Sequence, residues 1–300
     1  MRFNWEWNYM KASKYFYGFS ILLAMVGVIC LSIFGPNYGV DFRSGSNVEV
    51  NLTKEVSQEQ IHSLLVAQGI GENIDLTQGN ERFSIRFSKV LTDQQINGLK
   101  NSFNEQLDNG ASFEVNTVDT EMAKELERNA IYAVLAACVV IAVFVSIRFE
   151  WRFAIAAIIS LLHDAILVIS IFTIFRLEID LTFITAVLTI VGFSINDTIV
   201  IFDRIRENLR FSKNKSKNNL TRIVNLSIEQ TMTRSLATVF TVFIASVCLL
   251  IFGGASIRMF SFAMVIGLVF GAYSSIFIAS PIWLFLKSKQ KPKIPAVNTK

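Results

Sequence analysis

Apolar runs about as long as a membrane-spanning helix recur along this chain, and one long polar stretch interrupts them. Six runs, at 15–34, 130–147, 153–175, 181–202, 235–252 and 260–286, approach the ~20 helical residues that cross a ~30 Å hydrocarbon core. They predict six membrane-spanning helices. The polar stretch from Asn37 to Arg128 falls between the first and second runs and predicts a water-exposed domain. The expected divisions are 1–36 (N-terminus and first span), 37–128 (polar domain), 129–287 (spans two to six) and 288–300 (tail).

The polar domain has a pattern of its own. Asn47 to Leu52 alternates as a strand does, and Ser57 to Gly69 reads as a helix. Ser57 and Gln60 stand at capping-box spacing there, with Gly69 as the stop. Strands are expected at Ile74–Thr77 and Arg82–Phe87, joined by a hairpin turn at Gly79-Asn80. Thr92 and Gln95 repeat the capping spacing before a second helix to about Leu107, and Ser112–Val118 alternates as a last strand. The order β-α-β-β-α-β is the ferredoxin-like arrangement, a fold that hosts many functions and names none. The fold class expected is therefore an α-helical membrane protein with a ferredoxin-like α+β domain between its first two spans.

Composition agrees with that class. Hydrophobic residues make up 52% of the 300 and charged ones 17%, against about a quarter in soluble domains, and mean hydropathy is +0.46. Cys30, Cys138 and Cys248 all lie in apolar runs, so the polar domain has neither a disulfide framework nor thiol ligands for a metal. The first run is longer than the apolar core of a signal peptide and no small-residue cleavage site follows it, which predicts an uncleaved signal anchor.

Lys and Arg set the expected orientation. Arg2, Lys11 and Lys14 precede the first span, and Arg148 and Arg152 separate the second from the third. Eight positive residues run from Arg204 to Arg234, and Lys287, Lys289, Lys291 and Lys293 follow the last span. The opposite short loops hold only Arg176 and Arg258. Both termini are expected in the cytoplasm and the polar domain outside. Net charge is +4, clustered beside apolar runs, which suits a membrane surface and not a nucleic-acid-binding face.

Candidate chemistry lies inside the spans. Asn196 and Asp197 fall in the fourth run, where an Asp near mid-membrane costs ~2.5–3.5 kcal/mol on insertion scales and ordinarily serves a polar path. Asp197 is either a proton-carrying carboxylate or a structural polar group bonded across helices. Arg234, at the start of the fifth run, is either its charge partner or a snorkelling anchor. His163 and Asp164 form a second pair in the third run, a relay or a glue between helices. Asp203 to Arg210 continues the fourth helix with alternating charge, as a solvated helix end does, and Ser212 to Asn219 reads as a polar loop. Gly267 and Gly271, in phase with Ala263 and Ser275, give the last span a small-residue stripe for close helix packing.

The segment GFSINDTIVIFDRIREN, from Gly192 to Asn208, closely resembles the fourth-span motif of the SecD/SecF family of protein-export membrane subunits, on its SecF side. Gly39-Val40-Asp41-Phe42 with Gly45-Ser46 resembles the family's motif after the first span. His163-Asp164 and Gln230-Thr231-Met232-Thr233-Arg234 resemble its third-span pair and its approach to the fifth. Asp203, Arg204, Arg206, Glu207 and Asn208 belong to the first of these motifs. The chain departs from the family at Ser44, which replaces the first Gly of a Gly-Gly pair, and at Ser46, which replaces Thr. Gly reaches backbone angles that Ser resists, so the turn after Phe42 is where a difference is expected.

The resemblance implies a subunit that pairs with SecD in a twelve-span unit related to resistance-nodulation-division exporters. It implies work beside the SecYEG channel and YajC-type accessory subunits, in a bacterial inner membrane, on unfolded secretory chains driven by protons. Asp197 is then the proton carrier and Arg234 its charge partner, with Asn196, His163 and Asp164 supporting the path. No cofactor or metal is implied, and the sequence has no P-loop.

Three rivals stand beside this reading. One is half of a proton-driven exporter of lipids or small molecules, with an apolar pocket in the polar domain. Another is a purely structural subunit. The third is an intramembrane serine protease using Ser194 and His163, which match only part of a nucleophile elbow. Ser194→Ala is expected to inactivate the protease and to be tolerated by a proton-coupled subunit. A metalloprotease of the HExxH type is excluded, since the histidines are His62 and His163 alone.

Overall fold

The computed structural model describes residues 7–54, 56–71, 74–78, 82–212 and 217–289. The chain divides into a helical unit (1–36, 134–177 and 182–300) and a sheet unit (37–133 and 178–181). The Gly79-Asn80 turn, Arg2, Lys291 and Lys293 lie outside the described residues.

In the sheet unit, β1 (Gly45–Asn51), α2 (Gln58–Ala67), β2 (Ile74–Gln78), β3 (Arg82–Phe87), α3 (Asp93–Gln106) and β4 (Ser112–Val118) follow in the order that the alternation predicts. α1 (Tyr9–Phe34) precedes them and belongs to the helical unit. The strands form one antiparallel sheet ordered β2-β3-β1-β4, with Val48 opposite Ile85 on one side and Val115 on the other. Both helices open on complete capping boxes: Ser57 N donates to Gln60 Oε1 at 3.0 Å and Thr92 N to Gln95 Oε1 at 2.9 Å. Val48, Val50, Phe83 and Ile85 bury one sheet face against Ile61, Leu65, Leu99 and Phe103. Each such side chain contributes about 1.5–3 kcal/mol through burial, enough to hold the unit together.

The departure at Ser44 is harmless here. Gly45 has φ +146°, and a Cβ on it would lie 2.2 Å from the Phe87 carbonyl oxygen. Ser44 is not among the described non-glycine residues with positive φ, which are Arg176 alone. The glycine requirement therefore falls on position 45, which is filled. Ser46, buried in β1, accepts the Leu91 amide at 2.9 Å and meets Thr117 Oγ1 at 3.0 Å, contacts that need only a hydroxyl.

Asp108 staples the β1–α2 link to the turn before β4. Its carboxylate accepts Thr53 Oγ1 and Thr53 N, both at 2.6 Å, Gly110 N at 3.1 Å and Lys54 N at 3.2 Å. These bonds, the Thr53 hydroxyl first, lower its pKa from 3.8 to about 2. A carboxylate depressed in the folded state stabilises fully above its unfolded pKa and loses that contribution as pH falls through the folded one. Amide-exchange protection at Thr53, Lys54 and Gly110 is thus expected to hold above pH 3.8 and fade towards about 2. Asp108→Ala removes the protection at every pH; retention in that variant contradicts the staple.

The helical unit carries the apolar runs. Six helical segments among the described residues are long and apolar enough to cross a membrane. They are α1, α4 (Thr120–Arg148, whose start lies in the sheet unit), α5 (Trp151–Ile174), α6 (Leu181–Phe211), α7 (Lys217–Phe252) and a last span in two pieces. Those pieces are α8 (Ala255–Ser274) and α9 (Ser280–Ser288), separated by a π-helical turn at Ser275–Ala279. The apolar windows of α5, α6 and the last span are half buried or more, while those of α1, α4 and α7 are 11% buried, so the former make the centre.

Several helices outrun the apolar stretches that announce them. α7 begins at Lys217, far before the run at 235, and α6 continues to Phe211, because a helix persists into water while hydropathy falls away. Asn208 Nδ2 ties these extensions together, donating to Ser227 Oγ at 2.8 Å and Gln230 Oε1 at 3.0 Å. At the other end Arg176, with φ 55°, donates to the terminal α1 carbonyls of Phe34 and Gly35 at 3.1 and 2.9 Å. A cation there also suits the negative end of the helix dipole.

Candidate functional site

The small-residue stripe of the last span lies against α6. A Cβ on Gly267 would come 2.1 Å from Ile190 Cδ1, and one on Gly271 would come 3.2 Å from Ser194 Cβ. That close approach brings the polar residues of three central helices together. Asp164 of α5 is fully buried and accepts three bonds: Ser194 Oγ at 2.5 Å, Ser274 Oγ at 2.8 Å and His163 Nδ1 at 2.9 Å. His163 Nε2 lies 2.8 Å from Ser20 Oγ of α1, and Ser20 lies 3.0 Å from Tyr273 OH of α8. Next to this cluster, at the start of the π turn, Ser275 Oγ meets Thr198 Oγ1 at 2.8 Å. Such turns inside α-helices recur at functional sites.

Asp197 lies one turn beyond Ser194 on α6 and is 5% exposed. Arg234 and Ser235 follow one another on α7, and the Ser235 hydroxyl is buried with no hydrogen-bond partner among the described residues. Among the described residues no ion pair joins Asp197 to Arg234. Arg234 is exposed and lines a crevice of about 380 Å³ with Arg148, Asp203, Glu207 and Gln230. On its other side Asp197 shares with Ser194 and Gly271 a cavity of about 10 Å³, room for about one water. Asp197 lines this small cavity and not the crevice at Arg234.

The remaining candidates divide between these places. Asn196 is exposed, as is Gly192 one turn earlier, so Asn196 points away from the buried face that holds Asp197. Asp203 pairs with Arg148 at 3.5 Å, Arg204 with Glu207 at 2.6 Å, and Arg206 donates to the Arg148 carbonyl at 3.4 Å. Within the sheet unit, Gly39 donates its amide to the Ile179 carbonyl at 2.8 Å; a Cβ there would stand 2.9 Å from Asp180 Cβ. Asp41 Oδ2 accepts the Leu181 amide at 2.9 Å, and Phe42 is buried. Ser20, Ser274 and Tyr273 carry no sequence signal beyond a hydroxyl in an apolar run.

Ser194 bonds to Asp164 and not to His163, which removes the pairing that a Ser194 nucleophile needs. The Ser194 hydroxyl is one of three donors to that buried carboxylate.

Two family models match the chain. One, described as protein export membrane protein SecD/SecF, C-terminal, covers residues 99–289, and the other, the SecD/SecF GG motif, covers 31–56. The chain belongs to the SecD/SecF family. Among its relatives is the protein translocase subunit SecF of Alicyclobacillus acidocaldarius, 45% identical over 96% of this chain and 95% of that one. The protein translocase subunit SecDF of Bacillus subtilis is 44% identical over 96% of this chain but 39% of its own length. The crystal structure of SecDF, a translocon-associated membrane protein from Thermus thermophilus, superposes with a TM-score of 0.85 at 32% identity. It is covered over 95% of this chain and 39% of that one, so the chain spans about two-fifths of each SecDF relative. The SecD/SecF GG motif is present here as Ser44-Gly45, and Gly45 is the member whose backbone demands glycine.

Proposed function

We propose that this chain is the SecF-type subunit of a Sec protein-export assembly, which couples proton movement to late translocation of unfolded secretory proteins. The observation that carries the reading is Asp197, a buried carboxylate mid-helix on α6, within the stretch that the SecD/SecF family model matches. A buried charge without a full ion pair costs several kcal/mol, which favours a group that gains and loses its proton over a static one. Arg234 stands where it can draw near the ionised carboxylate and release the protonated one. Each proton crossing 100 mV delivers ~2.3 kcal/mol, a source of work that needs no nucleotide.

The SecDF relatives carry the SecD and SecF parts in one longer chain, which supports a SecD-type partner for this chain. The lipid- or partner-facing sides of α1, α4 and α7 provide apolar surface for such helices. SecYEG and YajC-type subunits complete the assembly in this reading, in a bacterial inner membrane, with both termini cytoplasmic and residues 37–128 on the far side. The exporter of lipids or small molecules loses ground because the sheet unit spends its large apolar side chains on its own core. No enzymatic activity is assigned. Ser20 does stand on His163 Nε2, but it lies mid-helix, where backbone amides are committed and offer no oxyanion hole.

Depleting the chain from growing cells tests the class of function. Precursors of exported proteins with uncleaved signals are expected to accumulate within one generation of its loss. Normal export with altered lipid or drug efflux selects the exporter instead.

A further inference from the structure

One hydroxyl stands between the two intramembrane carboxylates. Ser194 Oγ donates to Asp164 Oδ2 at 2.5 Å, and the same side chain lines, with Asp197, the 10 Å³ cavity. The other walls of that cavity are apolar, among them Ile190, Phe193, Val239 and Leu268. A water there meets two polar side chains, the lower bound of what holds one in place. Gly271 keeps the space open, since a Cβ on it would approach Ser194 Cβ to 3.2 Å.

Beyond Asp164 every link conducts in either direction. With the His163 ring protonated at Nδ1, Tyr273 OH donates to Ser20 Oγ, Ser20 donates to Nε2, and Nδ1 donates to Asp164 Oδ1. After one proton is added, Nε2 donates to Ser20, Ser20 donates to Tyr273, and His163 and Asp164 share the added proton across their 2.9 Å bond. Both states keep each of these bonds, because hydroxyls donate and accept and imidazole has two nitrogens.

We propose that Asp197 exchanges its proton with the His163–Asp164 pair through one water and the Ser194 hydroxyl, making a single transfer chain that ends at Tyr273. The proton leaves the Asp197 carboxyl for the water. The water passes one to Ser194 Oγ, whose own hydroxyl proton moves to Asp164. The negative charge thereby shifts from Asp164 to Asp197, and no electrons change hands. This deepens the function proposed above and rests on Asp197 as the proton carrier. Ser194 serves as a relay, and Ser20 and Tyr273 extend the chain past the imidazole.

The experiment compares Ser194→Ala, Ser194→Gly and Asp197→Asn in proteoliposomes holding the chain with its partner subunit, reading proton flux under an imposed potential and thermal stability alongside. Ala fills the hydroxyl's place with a methyl that conducts nothing, so its flux is expected to fall to that of Asp197→Asn. Gly vacates the place for a second water and is expected to retain most of the flux. A purely structural role ranks the two the other way, because Gly is the poorer helix former. Full flux in Ser194→Ala with loss in Asp197→Asn overturns the relay and leaves Asp197 as the carrier. Equal loss in Ala and Gly, tracking lost stability, also overturns it. Full flux in Asp197→Asn overturns the carrier itself, and the relay with it.

Discussion

Asp197→Asn is expected to leave precursors of exported proteins uncleaved and cell-associated while the variant and its partner accumulate in the membrane at normal levels. The substitution keeps size and shape in a site that is 5% exposed. What it removes is the ability to carry a proton and, with it, the changing attraction to Arg234. If one proton per cycle at 100 mV contributes ~2.3 kcal/mol, its loss slows the coupled step by up to about fortyfold, since ~1.4 kcal/mol is tenfold. Asp197→Glu, which retains a titratable group one methylene further out, is expected to fall between the two. Pulse–chase labelling of secreted proteins with quantified membrane levels reads the result. Normal secretion in Asp197→Asn leaves this chain a scaffold, with coupling located elsewhere in the assembly.

Much of the architecture could be read from the sequence because a bilayer and a half-buried sheet each impose a simple period. Six apolar runs become six spans, and the Ser57/Gln60 and Thr92/Gln95 spacings become capping boxes at the starts of α2 and α3. Helix ends were unevenly visible: the alternating charge from Asp203 to Arg210 carries α6 almost to its end at Phe211, but nothing apolar marks Lys217, where α7 begins. The functional groups split along the same line. Asp164 and Asp197 stand out because charge in an apolar run is costly. Ser20, Ser274 and Tyr273 do not stand out, since a hydroxyl in a span is cheap and its meaning depends on which helices pack together. Asn196 and Asp197 stand together in the sequence but apart in the fold, for neighbours sit about 100° apart on a helix, and Asn196 faces outward while Asp197 faces in. The Gly267–Gly271 stripe announced close packing without its partner; only the fold shows that α6 fills it.

Asp164 allows stability and proton handling to be separated with two substitutions. Asp164→Ala leaves Ser194 Oγ, Ser274 Oγ and His163 Nδ1 without their acceptor in a fully buried site. Each orphaned donor costs about 1–3 kcal/mol, a large part of a total stability of ~5–15 kcal/mol. The Ala variant is therefore expected to accumulate poorly and to melt early in detergent. Asp164→Asn has a partly satisfied alternative: its carbonyl oxygen takes both serine bonds, and its amide donates to His163 Nδ1. The ring proton then sits on Nε2 and is donated to Ser20, which donates onward to Tyr273. This arrangement leaves one amide N–H and the Tyr273 hydroxyl proton without an acceptor, so it costs stability but less than Ala, which strips the acceptor from three donors. It also fixes His163 in one tautomer and removes the site that took the proton. Asp164→Asn is thus expected to melt above the Ala variant and to reach the membrane, yet to accumulate precursors as Asp197→Asn does. Equal melting of the Ala and Asn variants shows that the three donors do not depend on the carboxylate. Normal export in a well-folded Asp164→Asn makes the cluster a structural clasp between α5, α6 and α8.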